Sequence, residues 1–411
     1  MQKEEAFLIQ ILKTLLQEEN GGLSVSGRQE IDYKRLYLIA KKNSVANMAA
    51  FFISKCDDIP SEIRQQFEQQ RLIITMQQIK CEKAFSEMCE IIQDAGIRSI
   101  VLKGTILKSM YPEPFMRSMS DIDIYMEEEG IRRITPSIIQ AGFSTGTIGS
   151  DNHFEFLKYE DAKIEFHPEL VALDSAYGEN VYPRCKQSDI PIAQAMDIWG
   201  HTESYNGNEY VRQLRPEYHY LYIIMHMINH FLAAGTGIRS VMDVWVMNHH
   251  YSKNWNRIEL KSLLEKYGLL TFERYVLSLA DRWFDLDGIP YLPNDIDQDL
   301  LDTLSDYIIG SGTYGTPTQS TYRLMGYKAG SANKVRYLSS RLFLPYETMK
   351  NLYPVLDGKP ILLPAMWVRR GVEVFKKRRN STTHKMKIVA NADQESMEKQ
   401  KQLIDAMIDK E

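Results

Sequence analysis

The sequence predicts an α+β protein in which a small mixed β-sheet core is flanked by an N-terminal helical region and a larger C-terminal helical region. Two observations predict this class. Residues 1–96 and 206–411 repeat apolar side chains at helical spacing, whereas short alternating or β-branched segments are confined to residues 97–205. A chain of 411 residues is also too long for one small core. We therefore expect three regions: 1–96, 97–205 and 206–411.

The N-terminal region reads as successive helices. The segment AFLIQILKTLLQ places Phe7 and Leu12 on one helical face. Pro60 then precedes a long glutamine-rich helix, for which Ser61 is a suitable N-cap. A further helix around EKAFSEMCEIIQDAG ends at Gly96, where a left-handed C-cap is expected.

The pattern changes after residue 96. RSIVL is a short β-branched segment typical of a buried strand, and the residues after it return to a helical pattern. SDIDIYM alternates polar and apolar side chains, as a half-buried strand does. Further strands are expected at FSTGTI, HFEFLKY and AKIEFH, with a helix at EEEGIRRITPSIIQAG. From residue 215 onward helices dominate, beginning with PEYHYLYIIMHMINHFLAA and GIRSVMDVWVMNHH.

Composition and charge exclude several classes of protein. The chain has 49 basic and 54 acidic side chains and a net charge of -5, so no overall field attracts nucleic acid, although a local basic patch is compatible with this balance. The four cysteines form no CxxC pair, which argues against a zinc knuckle or a disulfide framework. The N-terminus lacks the basic start of a signal peptide, and the apolar stretch 361–368 is too short to span a bilayer. We expect a soluble, cytoplasmic protein with no membrane partner.

Two carboxylates in SDIDIYM are the strongest candidates for catalysis. Side chains two apart on a strand share a face, so Asp121 and Asp123 project together while Ile122 and Ile124 pack into the core. Adjacent carboxylates repel each other, and a divalent cation resolves that repulsion. Mg²⁺ is typically held by one or two carboxylates together with substrate phosphates, which suits a metal–nucleotide site. The alternative is a solvated acidic strand end, because such triplets are common.

A glycine-containing turn lies upstream of these carboxylates. Lys103-Gly104-Thr105 sits between an apolar strand and a helix, where a glycine lets phosphates approach the backbone and the helix start offers free N–H groups. Arg117 and Ser118 lie shortly before the carboxylates and are candidates to bind phosphate oxygens. The turn and the two polar residues together favour a phosphate-binding site.

A third carboxylate is expected from a later strand. Glu165 alternates with Ile164 and Phe166 in AKIEFH, so it can face the same way as the aspartates from a neighbouring strand. His167, two residues further on, is a candidate for supporting that strand from outside the ligand set.

The run IRSIVLKGTILKSMYPEPFMRSMSDIDIYM resembles the uncharacterised nucleotidyltransferase family of the DNA polymerase beta-like superfamily. That superfamily carries a Gly-Ser turn, an Asp-x-Asp strand and a third carboxylate on a later strand. The corresponding residues here are the turn Gly104-Thr105, the pair Asp121 and Asp123, and the acid Glu165. Lys103 replaces the first glycine of the fuller turn, Thr105 replaces the usual serine, and the gap between turn and carboxylates is longer than in the commonest pattern.

The resemblance implies a nucleotidyltransferase core that moves an NMP from an NTP onto a hydroxyl acceptor and releases pyrophosphate. Mg²⁺ (or Mn²⁺) would be held by Asp121, Asp123 and Glu165, and Glu165 would also help to deprotonate the acceptor. Arg117 would stabilise the leaving pyrophosphate. The groups implied to cradle the β- and γ-phosphates are Gly104, Thr105 and Ser120. The acceptor could be a small molecule, a protein side chain or an RNA end, and the sequence does not distinguish these.

Two other classes of function stay open. A nucleotide-binding regulatory protein could keep the fold without turnover, which the replacements at Lys103 and Thr105 favour and the intact carboxylate trio opposes. An RNA-binding adaptor would use the basic cluster Arg369, Arg370, Lys376, Lys377, Arg378 and Arg379. The negative net charge instead favours the solvated side of an amphipathic helix whose inward residues are Val368, Val372 and Phe375.

Two pairs at helical spacing are interpreted as structural. His226 and His230 are four apart, but no neighbouring acid completes a metalloprotease pattern, so helix packing or contact with a bound substrate is favoured. Arg239 and Asp243 are also four apart, which predicts an ordinary ion pair within a helix. The resemblance to the nucleotidyltransferase family implies that this helical region lies beside the catalytic core, where either residue could instead border the acceptor cleft.

Overall fold

The computed structural model describes residues 1–17, 30–146, 153–170, 196–251, 253–329, 339, 342–377, 387–389 and 391–408. Four helices precede the sheet, as the apolar spacing predicts. They are α1 (Lys3–Leu16), α2 (Tyr33–Lys42), α3 (Ala46–Ile53) and α4 (Ser61–Ala95).

Helix α4 is one continuous helix of 35 residues, whereas the sequence suggested two successive helices. No glycine or proline interrupts residues 61–95, so nothing breaks the backbone hydrogen bonding. Pro60, and not Ser61, occupies the N-cap position, and no side chain caps this end. Gly96 ends the helix with φ 63°, the left-handed conformation that was expected there.

The described residues form one mixed sheet of seven strands. Its order is β3-β4-β5-β2-β1-β7-β6. Strand β2 pairs with β5 and β1 with β7 in parallel, and the other neighbours are antiparallel. The α+β class predicted from the sequence is confirmed. The strands are β1 (Ser99–Val101), β2 (Ile122–Tyr125), β3 (Ser144–Thr145), β4 (Phe154–Lys158), β5 (Ala162–His167), β6 (Thr202–Tyr205) and β7 (Asn208–Leu214).

One face of the sheet is apolar and packs on helices α4 and α6 (Glu128–Gln140). Ile122, Ile124 and Ile164 are buried in this core, with Phe156 and Phe166 beside them. Because side chains alternate along a strand, the residues between them project from the opposite face. That opposite face carries the polar side chains of the candidate site. A short helix, α5 (Gly104–Leu107), follows β1.

Five longer helices follow β7. They are α7 (Pro216–Ala233), α8 (Ile238–Tyr251), α9 (Arg257–Lys266), α10 (Leu270–Phe284) and α11 (Gln298–Ser311). Together with the sheet and α1 to α4 they belong to one compact unit, residues 1–232, 236–314 and 407–411. Strand β7 lies beyond residue 205, so the sheet extends past the central region expected from the sequence.

A second, smaller compact unit comprises residues 233–235 and 315–406. Its helices are α12 (Pro317–Ala329), α13 (Tyr346–Leu352), α14 (Leu363–Lys377) and α15 (Gln394–Met407). Met325, Val389 and Met397 form its buried cluster. Among the helices described in either unit, none has both the length and the apolar composition needed to cross a bilayer.

Candidate active site

Three carboxylates lie side by side on the polar face of the sheet. Asp123 on β2 is in register with Glu165 on β5, and Glu165 is in register with Glu155 on β4. Residues in register on neighbouring strands point to the same face, so the three form a row across the sheet. Asp123 and Glu165 are buried, with 6% and 8% of their surface exposed. Buried carboxylates must be paired or bound to a cation, and the surrounding residues show how this is achieved.

Two histidines extend this row of acids. The ring Nε2 of His167 lies 2.8 Å from Asp123 Oδ1 and 3.7 Å from Glu165 Oε2. His153 Nε2 lies 3.7 Å from Glu165 Oε1. One donor atom from each of Asp123, Glu165 and His167 falls within 4.8 Å of the others, and the same holds for His153, Glu155 and Glu165. The polar face therefore brings oxygen and nitrogen donors to within the reach of one cation.

Lys103 supplies a positive charge to Asp123. Its Nζ donates to Asp123 Oδ1 over 3.0 Å, and both side chains are largely buried. Burial lowers the pKa of Lys103, but the charges of Asp123, Tyr222 and Asp121, together with the hydrogen bond to Asp123, outweigh burial and raise the net pKa. Burial alone would raise the pKa of Asp123, yet Lys103 and His167 hold it well below its usual range. Both groups are therefore charged at neutral pH.

The backbone of Lys103 is strained. Its φ of 45° and ψ of -118° are a conformation that glycine adopts readily and other residues avoid. Such outliers persist when the surrounding structure holds them in place, and they concentrate at functional sites. Here the strained residue is the N-cap of α5, and its side chain donates to Asp123.

A comparison with models of protein families adds evidence from outside the structure. The model described as "Uncharacterised nucleotidyltransferase" matches residues 29–285, which is more than half of the chain. The chain belongs to this family. No curated protein and no solved structure matches it. The resemblance inferred from the central sequence run is thereby confirmed at the level of the family.

The donors on the sheet fit a divalent cation of the kind that nucleotidyltransferases use. Two carboxylate oxygens and one imidazole nitrogen, from Asp123, Glu165 and His167, converge within 4.8 Å. Asp121, expected to complete this set, lies outside the group. Its side chain is 32% exposed, and its Oδ2 is 3.6 Å from Lys163 Nζ. Lys163 also hydrogen-bonds to Glu165, so this lysine occupies the space between Asp121 and the carboxylate row.

Two of the side chains expected to bind phosphate, Arg117 and Ser118, are already hydrogen-bonded to other parts of the protein. Arg117 is buried and donates from Nε and Nη2 to the two carboxylate oxygens of Asp243, each over 2.8 Å. Ser118 is buried and donates from Oγ to the carbonyl of Ser44 over 2.7 Å. Phosphate binding by either group would require these bonds to break. Ser120, in contrast, is exposed next to Asp121.

The sequence suggested that Gly104 lets phosphates approach the backbone, but the structure shows a different reason for a glycine at this position. A Cβ at this position would lie 2.3 Å from Arg117 Nη1 and 2.9 Å from Met119 Sδ. The space beside Gly104 is therefore filled by protein atoms, so the glycine is needed for packing at this point. Thr105 beside it is buried, and its Oγ1 has no hydrogen-bond partner in the described part of the chain. The hydrogen-bonding capacity of this buried hydroxyl is therefore unused by the described residues.

Helix α7 contributes residues that the sequence did not assign to the site. Tyr222 is buried and hydrogen-bonds with Lys103, and burial raises its pKa to about 12 although the Lys103 charge opposes this. Burial, followed by the Lys103 charge, lowers the pKa of His226 well below its usual range. His226 Nε2 lies 3.0 Å from His230 Nε2. The four-residue spacing of these side chains was visible in the sequence, but nothing there indicated that Tyr222 and His226 lie close to Lys103.

The predicted ion pair between Arg239 and Asp243 does not form, so that prediction is wrong. Asp243 pairs with Arg117, and Arg239 Nη1 donates to the carbonyl of Ser118 over 3.0 Å. The two side chains share a helix face, but the buried Arg117 presents both of its donors in parallel to Asp243. A local spacing rule cannot account for a partner 126 residues away.

The basic cluster near residue 370 differs from its expected packing. Val368 and Val372, predicted to face inward, are 70% and 50% exposed. Arg369 pairs with Glu373 on the same helix over 2.9 Å. Arg378 and Arg379 lie outside the described residues, and the structure describes no side-chain placement for Phe375, Lys376 or Lys377.

Proposed function

We propose that this protein transfers an NMP from an NTP to a hydroxyl acceptor and releases pyrophosphate. The observation that carries the proposal is the register of Asp123 with Glu165 on parallel strands, which places both carboxylates and His167 around one point. Membership of a nucleotidyltransferase family supports the reaction class. The nucleotide used and the acceptor, whether small molecule, protein side chain or RNA end, are left to experiment.

In this proposal Asp123 and Glu165 hold Mg²⁺ or Mn²⁺, with His167 beside them. When bound, the cation supplies Lewis-acid stabilisation of the negative charge on phosphate oxygens. Lys103 adds a fixed positive charge next to Asp123, where the phosphates of the nucleotide would lie. Thr105 Oγ1 and the exposed Ser120 are available as hydrogen-bond partners for phosphate oxygens. These groups bind and orient the nucleotide.

The transfer exchanges one phosphorus–oxygen bond for another. The acceptor oxygen forms a bond to the α-phosphorus, and the bond from that phosphorus to the bridging oxygen breaks, so that pyrophosphate leaves with its electron pair. The acceptor hydroxyl loses its proton, and we assign its acceptance to Glu165. Contacts with His167, His153 and Lys163 keep the buried Glu165 carboxylate oriented.

One observation favours a protein that binds nucleotide without turnover. Lys103 and Lys163 already neutralise Asp123 and Glu165. A site whose acids are satisfied by lysines has less need of a cation. We keep this alternative because the same assay distinguishes it from catalysis.

Pyrophosphate release tests the proposal. The full chain is incubated with each of the four NTPs, Mg²⁺ or Mn²⁺, and an extract containing metabolites, proteins and RNA as the acceptor pool. Asp123→Asn and Glu165→Gln remove one carboxylate each with little change in volume. Glu128→Gln is the matched control, because Glu128 is exposed on α6 and pairs with Arg132.

We expect release that requires the metal and falls at least about 100-fold in Asp123→Asn and Glu165→Gln, but not in Glu128→Gln. A labelled NTP then identifies the acceptor that gains the nucleotide. Metal-dependent NTP binding without any release would favour the regulatory alternative. Absence of NTP binding would refute both.

A further inference from the structure

The segment between the turn and the carboxylates is long, and a single side chain of helix α8 binds it at two places. Tyr111 Oη donates to Asp243 Oδ1 over 2.8 Å. Arg117 donates from Nε and Nη2 to the same carboxylate, also over 2.8 Å. All three side chains are buried. Asp243 therefore binds two points inside the segment from Gly104 to Asp121, namely Tyr111 and Arg117.

Other contacts fix the same segment through its backbone carbonyls. Gln78 Nε2 donates to the carbonyl of Arg117, and Asn47 Nδ2 donates to the carbonyls of Phe115 and Met116 over 2.9 Å. Arg239 Nη1 donates to the carbonyl of Ser118 over 3.0 Å. Helices α3, α4 and α8 thus hold the backbone immediately before the catalytic strand. Asp243 is the one charged acceptor described among these contacts.

This packing reaches the strained turn itself. Arg117 Nη1 fills the space beside Gly104, so the turn cannot move toward Arg117 while Asp243 holds that guanidinium. The amide of Leu102 donates to the carbonyl of Asp123 over 3.0 Å, which links the turn to the catalytic strand. A displacement of Arg117 would therefore shift Lys103 and change the distance between Lys103 and Asp123.

We infer that Asp243 is a positioning residue for the nucleotidyl-transfer site: by binding Tyr111 and Arg117 together, it holds the Lys103–Gly104 turn in register with Asp123. A long flexible connection would allow the lysine and the aspartate to separate, whereas a buried carboxylate that binds this connection at Tyr111 and Arg117 restricts that freedom.

The chain contains a matched control for this arrangement. Glu273 on α10 also accepts from an arginine and a tyrosine: Arg257 Nη2 over 2.8 Å and Tyr220 Oη over 3.1 Å. It is fully buried, and neither partner belongs to the turn or to the sheet. Glu273→Gln removes the same kind of charge from the same kind of trio. A general loss of stability would affect both variants, whereas a positioning effect on the turn is expected in one.

Hydrogen exchange of backbone amides tests the inference on the full chain, without turnover. We compare the wild type, Asp243→Asn and Glu273→Gln at the amides of Leu102, Ile106 and Leu107, which bond to Asp123 and Lys103 carbonyls. In Asp243→Asn these amides should exchange about tenfold faster or more. In Glu273→Gln they should exchange as in the wild type, and faster exchange should be confined to α7, α9 and α10.

Kinetics provide the second readout, and this arm rests on the proposed function. We expect Asp243→Asn to lower kcat about tenfold or more while changing KM for the NTP less, because the groups that bind the phosphates remain present but are less well aligned. Asp243→Glu, which restores a carboxylate, should recover part of the loss. If Asp243→Asn does not fold, Tyr111→Phe removes one of the bonds and should show the same changes to a smaller extent.

Equal exchange at Leu102, Ile106 and Leu107 in the two variants would overturn the positioning role, as would a kcat loss in Glu273→Gln equal to that in Asp243→Asn. A wild type that releases no pyrophosphate would contradict the proposed function alone. The exchange comparison would still decide whether Asp243 holds the turn, so the two failures are distinguishable.

Discussion

Replacing Gly104 by alanine tests the packing beneath the strained turn. The added Cβ would lie 2.3 Å from Arg117 Nη1 and 2.9 Å from Met119 Sδ. Met119 is flexible and can withdraw, but Arg117 is bound through Nε and Nη2 to Asp243. Either the turn shifts or the buried ion pair is disturbed.

The expected magnitude follows from these two outcomes. Inserting a methyl group into a packed core costs about 1–3 kcal/mol, and breaking a buried ion pair costs about 3–5 kcal/mol. A small gain from the lower flexibility of alanine offsets part of this. We therefore expect Gly104→Ala to lower the free energy of unfolding by about 3 kcal/mol.

Urea unfolding of the full chain measures this change. Gly310→Ala is the control, because Gly310 lies in α11 with no atom within 4 Å of the added Cβ, and alanine there should stabilise the helix by about 0.5–1 kcal/mol. In an Asp243→Asn background Arg117 is less firmly held, so the penalty of Gly104→Ala should shrink by about 1 kcal/mol or more. If Gly104→Ala costs under about 1 kcal/mol, or costs the same in both backgrounds, Arg117 is not fixed as we argue.

Three further predictions concern neighbouring groups. His219 is buried beside Arg117, and burial followed by that charge lowers its pKa from 6.5 to about 4. Between these values the unfolded chain binds a proton that the folded chain does not, so the free energy of unfolding falls as the pH falls. Urea unfolding at each pH should show that His219→Gln loses about 2 kcal/mol less stability than the wild type between pH 7.5 and 5. Lys103→Met leaves Asp123 buried without its lysine and should lower the free energy of unfolding by about 3 kcal/mol in the same assay. Lys80→Met, at an exposed ion pair, should have a smaller effect, and equal effects would contradict the burial argument. His167→Asn should lower the ratio of Mn²⁺- to Mg²⁺-supported release about tenfold, because imidazole favours Mn²⁺ more than Mg²⁺; an unchanged ratio would place His167 outside the metal site.

Local sequence patterns predicted the parts of the site that local geometry determines. Alternation along a strand placed Asp123 and Glu165 opposite the apolar face, and the register of β2 with β5 brings them together. Alternation cannot distinguish which of Asp121 and Asp123 meets Glu165, because both share a face. The difference comes from pairing: Asp123 is opposite Glu165, whereas Asp121 lies beside Lys163.

The remaining features depend on contacts between distant parts of the chain. Nothing near Arg117 in the sequence indicates that its partner is Asp243, and so a buried structural arginine looked like a phosphate ligand. His153 and Glu155 were part of a correctly predicted strand, but their approach to Glu165 required the pairing of β4 with β5. The strain at Lys103 has no signature in composition, because the residue type contradicts its backbone conformation.

The ion pair between Arg117 and Asp243 also affects the order in which parts of the protein can fold during synthesis. The two residues are 126 positions apart, and Tyr111 and Asp243 are 132 apart. The described strands of the sheet end at Leu214, and α8 begins only at Ile238. Before Asp243 is made, the Arg117 guanidinium beside the Lys103–Gly104 turn lacks this partner. Because chains fold from the N-terminus as they are made, we expect a polypeptide that ends between residues 214 and 243 to contain the carboxylates but to hold the turn less firmly.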